Sequence, residues 1–169
     1  MNRPQPDEYG AFYQGYINIV NDDVLAELTD QLVTLPDFLR SVPVAKADFA
    51  YAEGKWTIKE LLGHIIDTER IMAYRLLRFA RNDATELPGF DENHYVRHSN
   101  FATQNFFDLI KEFEAVRKAN LYLFKSLTDT DLDRKGIASN SPLSVRALLF
   151  ILAGHAKHHQ KIIEERYLS

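Results

Sequence analysis

"WTIKELLGHIIDTERIMAYRLLRFA", residues 56–80, is the stretch on which the fold turns. Thr57 and Glu60 form a capping box, in which a hydroxyl and a carboxylate three residues apart satisfy the free N–H groups of a helix start. Trp56 stands just before the cap, placed to staple onto Leu61. Behind the cap an apolar stripe runs through Ile58, Leu61, Leu62, Ile65, Met72, Leu76 and Ala80, the spacing of one helix face. The pattern predicts a helix over 57–81.

The same logic extends in both directions. Upstream, Asn21, Asp22 and Asp23 offer caps ahead of Leu25, Leu28, Leu32, Leu35 and Leu39. Pro36 falls inside that pattern and predicts a kink, or a helix in two pieces. Downstream, Phe106, Ile110, Phe113, Val116, Phe124 and Leu127 predict a third helix over 103–127. A fourth is expected over 143–167, capped by Ser144, or by Ser141 with Pro142 in the first turn. Residues 1–21, with early prolines and several tyrosines, read as an irregular arm across the core. "DTDLDRKGIASNSP", residues 129–142, reads as a polar connection, and no strand pattern competes.

Four amphipathic helices in 169 residues make an all-α four-helix bundle, one domain over 1–169. The connection over 82–102 is longer than an antiparallel hairpin needs. It can travel the length of the bundle and leave the second and third helices parallel, so the expected topology is up-down-down-up.

Hydrophobic residues make up 46% and charged residues 26%, the composition of a globular protein. The net charge of −4 argues against nucleic acid as the main partner, which needs a basic surface. No cysteine is present, which removes disulfides, thiolate metal sites and a cysteine nucleophile, and suits a reducing cytosol. No signal-like or membrane-spanning apolar run occurs, so a cytoplasmic protein with no membrane partner is expected.

"GHAKHHQKII", residues 154–163, places three of the six histidines within five residues. Two helix starts resemble each other, "WTIKELLGHI" at 56–65 and "LSVRALLFIL" at 143–152. Counted from Thr57 and Ser144, His64, His155 and His159 lie seven, eleven and fifteen residues on. At about 100° per residue they fall near 340°, 20° and 60°, on one facet. His158 points to the flank with Ile151, Gly154 and Lys161. An i,i+4 pair lets two imidazoles reach one ion from one helix, and His64 supplies a third from a neighbour. Three neutral imidazoles suit a divalent transition metal such as Zn, Ni or Fe. Three protein ligands also leave a coordination position open, as in catalytic sites.

The segments "WTIKELLGHIIDTERIMAYRLLRFARND", "LPGFDENHYV" and "LSVRALLFILAGHAKHHQKIIEERY" together resemble the DinB-like superfamily, and within it the YfiT-like group of metal-dependent hydrolases. The likeness covers residues 20–167. It implies an up-down-down-up bundle whose metal ligands are one histidine on the second helix and a His-x-x-x-His pair on the fourth, here His64, His155 and His159. It also implies a homodimer, and for some members a small thiol as cosubstrate of an S-transferase or isomerase.

Other residues carry weaker signals. In "GFDENHYVRH", residues 89–98, Asp91, Glu92, His94, Tyr95 and His98 either fold over the metal or belong to a solvated connection, with His94 or Asp91 a weak fourth ligand. Asn120 interrupts the third stripe and reads first as a buried polar contact. Glu69, Arg70, Arg75, Arg78 and Arg81 read as a charged outer face. No Gly-rich phosphate loop or Ser-His-Asp arrangement can be argued, so any nucleophile comes from outside the chain, as water or a thiolate. The expected function is a metal-dependent enzyme acting on a small molecule, a hydrolase first. A small-thiol S-transferase, or a non-catalytic metal-binding stress or interaction bundle, is the alternative.

Overall fold

A computed structural model describes residues 1–169. Four long helices form the bundle: α2 (Val24–Ser41), α3 (Ile58–Ala80), α5 (Phe106–Lys125) and α7 (Val145–Ile162). Three short ones, α1 (Gln14–Asn18), α4 (Glu92–Arg97) and α6 (Asp129–Leu132), sit in the connections. Each long helix starts on a side-chain cap: Asp23, Thr57, Asn105 and Ser144 accept from backbone N–H groups in the first turn. The Thr57–Glu60 box forms as expected, and the predicted spans shorten by one to a few residues at each end. After α7 the last turn widens into a π-helix, Ile163–Tyr167.

Helix directions follow from two apolar clusters. The larger joins Val24 and Leu28 of α2, Met72, Leu76 and Phe79 of α3, Leu121 and Phe124 of α5, and Leu148 to Ala153 of α7. The smaller joins Leu35 and Leu39, Ile58 to Ile66, Phe106 to Phe113, and Ala156 with Ile163. The first halves of α2 and α7 therefore share a level with the second halves of α3 and α5. Thus α3 and α5 run parallel, and both run against α2 and α7: up, down, down, up.

Three expectations change. Pro36 does not divide α2 into two pieces: the helix is continuous from Val24 to Ser41, and the ring is buried. Proline removes one N–H and one helical bond, a loss that burial of the α2 face against two neighbours offsets. The segment read as a polar connection holds a hairpin, β1 (Lys135–Ala138) with β2 (Ser141–Ser144), antiparallel. Its turn residues Ser139 and Asn140 both have positive φ, 54° and 58°, as a type I′ turn requires. The arm is more ordered than expected. It holds two 3-10 turns and α1, and buries Tyr9, Tyr13, Ile17 and Val20 in the larger cluster. Arg3 ties it down by donating to the carbonyls of Val20 (2.9 Å) and Ile17 (2.6 Å).

Candidate metal centre

His64 comes from the second turn of α3, His155 and His159 from adjacent turns of α7. Because α3 and α7 pack antiparallel, seven residues into one helix meets the last turns of the other. The Nε2 of His155 lies 2.9 Å from that of His64 and 3.1 Å from that of His159. No two of the ligand atoms are more than 4.8 Å apart. Bonds of about 2.1 Å to one ion reach nitrogens up to about 4.2 Å apart, so small ring rotations bring all three onto one centre. His158 stands outside, its ring 5.2 Å from that of Tyr16.

All three rings are buried, with 6 to 8% exposure. Burial holds His64 down at about 4. Burial first, and neighbouring imidazoles second, hold His155 and His159 well below the ordinary histidine range. The rings are therefore neutral near pH 7, the form that ligates a metal. Each neutral ring nitrogen carries either one N–H or one lone pair, so the Nε2 of His155 can satisfy only one of the two Nε2 atoms beside it and a third is left without a partner. The Nδ1 of His159 also has no partner. A divalent transition ion matches this donor set.

Beside the triad lies a cavity of about 590 Å³. Phe12, Tyr13, Tyr16, Trp56, Met72 and Phe90 give it an apolar, mostly aromatic wall, and Thr68, Ser139 and Glu92 add polar groups. Tyr16 crosses edge-on over His155, with centroids 5.5 Å apart, and Trp56 lies 4.8 Å from His64. Burial pushes the hydroxyls of Tyr13 and Tyr16 up, with the Glu92 carboxylate adding to both. A second, smaller cavity of about 220 Å³ also reaches His159 and Trp56, past Tyr51, Asn93 and Tyr167. The triad is thus accessible to a small molecule.

The loop residues divide. Glu92 lines the larger cavity. Asp91 caps α4 by accepting from His94 N–H at 2.9 Å. His94 and His98 are exposed and stack on each other at 4.1 Å. Neither Asp91 nor His94 joins the triad. Asn120 makes the expected polar contact within the bundle, from a half-buried position, donating to Glu69 at 3.1 Å.

The charged outer face of α3 needs correction. Arg70, Arg78 and Arg81 are at or near the surface, but Glu69 and Arg75 are 2% exposed. Glu69 is paired in both oxygens by Arg117, at 2.8 and 2.9 Å. Arg75 donates to Pro88 O and to Ser139 Oγ, and lines no part of the larger cavity. Sequence reasoning missed Arg117, Gln31, Thr68 and the aromatic wall. For Gln31, Glu69 and Arg117 a signal existed: each falls in phase with an apolar stripe.

Comparison with known proteins agrees with this architecture. A family model described as the DinB superfamily matches residues 27–163. Two relatives from Oceanobacillus iheyensis are each named "Putative metal-dependent hydrolase". One is 29% identical over 112 residues, spanning 64% of this chain but only 63% of its own length. The other is 26% identical over 167 residues, spanning 94% of this chain and 92% of its own. Among solved structures, YfiT from Bacillus subtilis, described as "a probable metal-dependent hydrolase with an unusual four-helix bundle topology", superposes with a TM-score of 0.73 at 18% identity, over 96% of this chain and 89% of its own. A mycothiol-dependent maleylpyruvate isomerase superposes with a TM-score of 0.69 at 12% identity, over 88% of this chain and 62% of its own. Identities this low carry the fold alone. No helix is long and apolar enough to cross a membrane.

Proposed function

The chain belongs to the DinB superfamily, and from that premise we propose that it is a metal-dependent hydrolase of the YfiT-like group whose ion is held by His64, His155 and His159. One observation carries the reading: three buried, neutral imidazoles from two helices converge beside a cavity large enough for a small organic substrate. When bound, a divalent ion such as Zn, Ni or Fe supplies Lewis acidity at its open position and lowers the pKa of a water or thiol there.

The chain's own residues do the rest. The aromatic wall excludes bulk water and seats an apolar group against the triad. Tyr16 packs against His155 and Trp56 against His64, bracing one ring on each helix. Glu92, the one acidic group lining the larger cavity, takes a proton from or holds a donor on the bound molecule.

A second reading replaces water by a small thiol, making the protein an S-transferase. Two cavities meeting at His159 and Trp56 favour it, since they give two molecules separate approaches to one centre. The fold shared with a mycothiol-dependent isomerase is compatible with it. The absence of cysteine supports a cytoplasmic setting. A homodimer is part of the same proposal, and light scattering tests it. The deciding experiment is elemental analysis of the purified protein, followed by turnover of electrophilic esters, amides and epoxides with and without a low-molecular-weight thiol. One metal per chain with thiol-independent turnover is expected. Turnover only with thiol selects the transferase, and purified protein that takes up no metal rejects both.

A further inference from the structure

Each bundle helix changes from one apolar cluster to the other at a polar residue. In α2 the order is Leu28, Gln31, Leu35; in α3 it is Ile66, Glu69, Met72; in α5 it is Phe113, Arg117, Leu121. In α7 the larger cluster ends at Ala153, the smaller resumes at Ala156, and His155 lies between. The core is therefore cut across by one polar layer, and a member of the histidine triad lies in it.

The layer is bonded from helix to helix. Arg117, fully buried, holds both oxygens of Glu69 and donates to Leu28 O (3.2 Å) and Gln31 Oε1 (2.9 Å). Gln31 passes the chain on, donating to Ala153 O at 2.9 Å, two residues before His155. The path α3–α5–α2–α7 thus ends on the two helices that carry the ligands. Every side-chain group in it is satisfied. A buried ion pair adds little net stability over apolar residues of similar volume. What it does supply is register: apolar faces slide past one another at small cost, whereas a bidentate arginine–carboxylate bond has one geometry.

We propose that Arg117, Glu69 and Gln31 are positioning residues of the metal centre: they pin the axial register of α3 against α7 so that His64 meets His155 and His159. The proposal rests on the metal reading above. An axial slide of α3 by about 1.5 Å, the rise of one residue, keeps the apolar faces in contact yet is enough to take His64 off the shared point.

The test uses cobalt(II) as the probe, read by its visible spectrum and by titration, on the full chain. The apolar replacement Gln31→Leu/Glu69→Leu/Arg117→Met removes the network without leaving a lone charge. It is expected to keep the helical circular dichroism and metal-free Tm of the wild type, or exceed that Tm, while cobalt binds at least tenfold more weakly with a broadened spectrum. The companion Gln31→Met, which leaves Arg117 paired to Glu69, is expected to weaken binding about threefold, less than the ten- to hundredfold cost of losing a direct partner of a ligand, because Gln31 bonds Ala153 O and Arg117 and not a ligand ring. Either variant, folded and binding cobalt with the wild-type affinity and spectrum, overturns the proposal while leaving the metal site standing. Wild-type protein that binds no cobalt overturns the metal reading itself, and this inference with it.

Discussion

The chain carries two His-x-x-x-His pairs, and only one is part of a constellation. His155 and His159 lie on the 18-residue α7, buried against α3, with His64 facing them. His94 and His98 lie on the six-residue α4 and just past its end. They are exposed, and their rings stack on each other. The Nδ1 of His98 sits 2.8 Å from the His94 carbonyl. Spacing is the same in both, so spacing is half a site. The other half is a neighbouring helix that supplies a third donor and a wall that removes water.

The strongest way to break this comparison is to delete a ligand. His155→Ala or His159→Ala is expected to abolish stoichiometric metal uptake, while His94→Ala/His98→Ala keeps one metal per chain by elemental analysis. His64→Ala reduces the buried pair to the condition of the exposed one, and its affinity is expected to fall more than the ten- to hundredfold typical of a lost supporting contact.

Acid offers the next largest effect. Burial holds folded His64 at about 4, below the value near 6.5 of an unfolded chain. As pH falls the unfolded chain takes up its proton first, so metal-free stability is complete above about pH 6.5 and declines toward pH 4. The full shift is worth roughly 3 kcal/mol from this ring. Urea unfolding in chelator across that range should follow the decline, and His64→Gln should make it shallower, with buried His155 and His159 supplying the remainder.

Smaller effects sharpen the contrast. α1 lies on α7 at Gly154, where an added Cβ would meet the Tyr16 carbonyl oxygen at 2.2 Å. Gly154→Ala is expected to cost roughly 1–3 kcal/mol and to loosen the Tyr16 cover over His155, measured by thermal unfolding. Smallest of all, His158→Ala should leave metal uptake nearly unchanged. Chelation should likewise leave the helical signal nearly unchanged, because two apolar clusters hold the bundle without an ion.

Much of this was legible beforehand because it depends on local periodicity. Caps at Thr57 and Ser144 and the apolar stripes locate α3 and α7, and the phase of His64 against His155 and His159 follows from counting. The hairpin at 135–144 was not legible: its strands are four residues long and its turn is Ser139–Asn140, without the glycine that usually marks a two-residue turn. Nor was the aromatic wall, because Tyr13, Tyr16 and Phe90 come from the arm and a loop, which carry no period. The charged residues of α3 misled for a related reason. Glu69 looks like surface until its partner Arg117, 48 residues away, is seen opposite it.

The amino-acid order alone determined the four helices, their caps and the shared facet of three imidazoles, since those depend on neighbours within a turn or two. Whether that facet would close into a site depended on contacts between distant segments. The axial level of α3 against α7, the burial that keeps the rings neutral and the partner that turns Glu69 inward exist only after the helices pack, because each is a property of two or more of them at once.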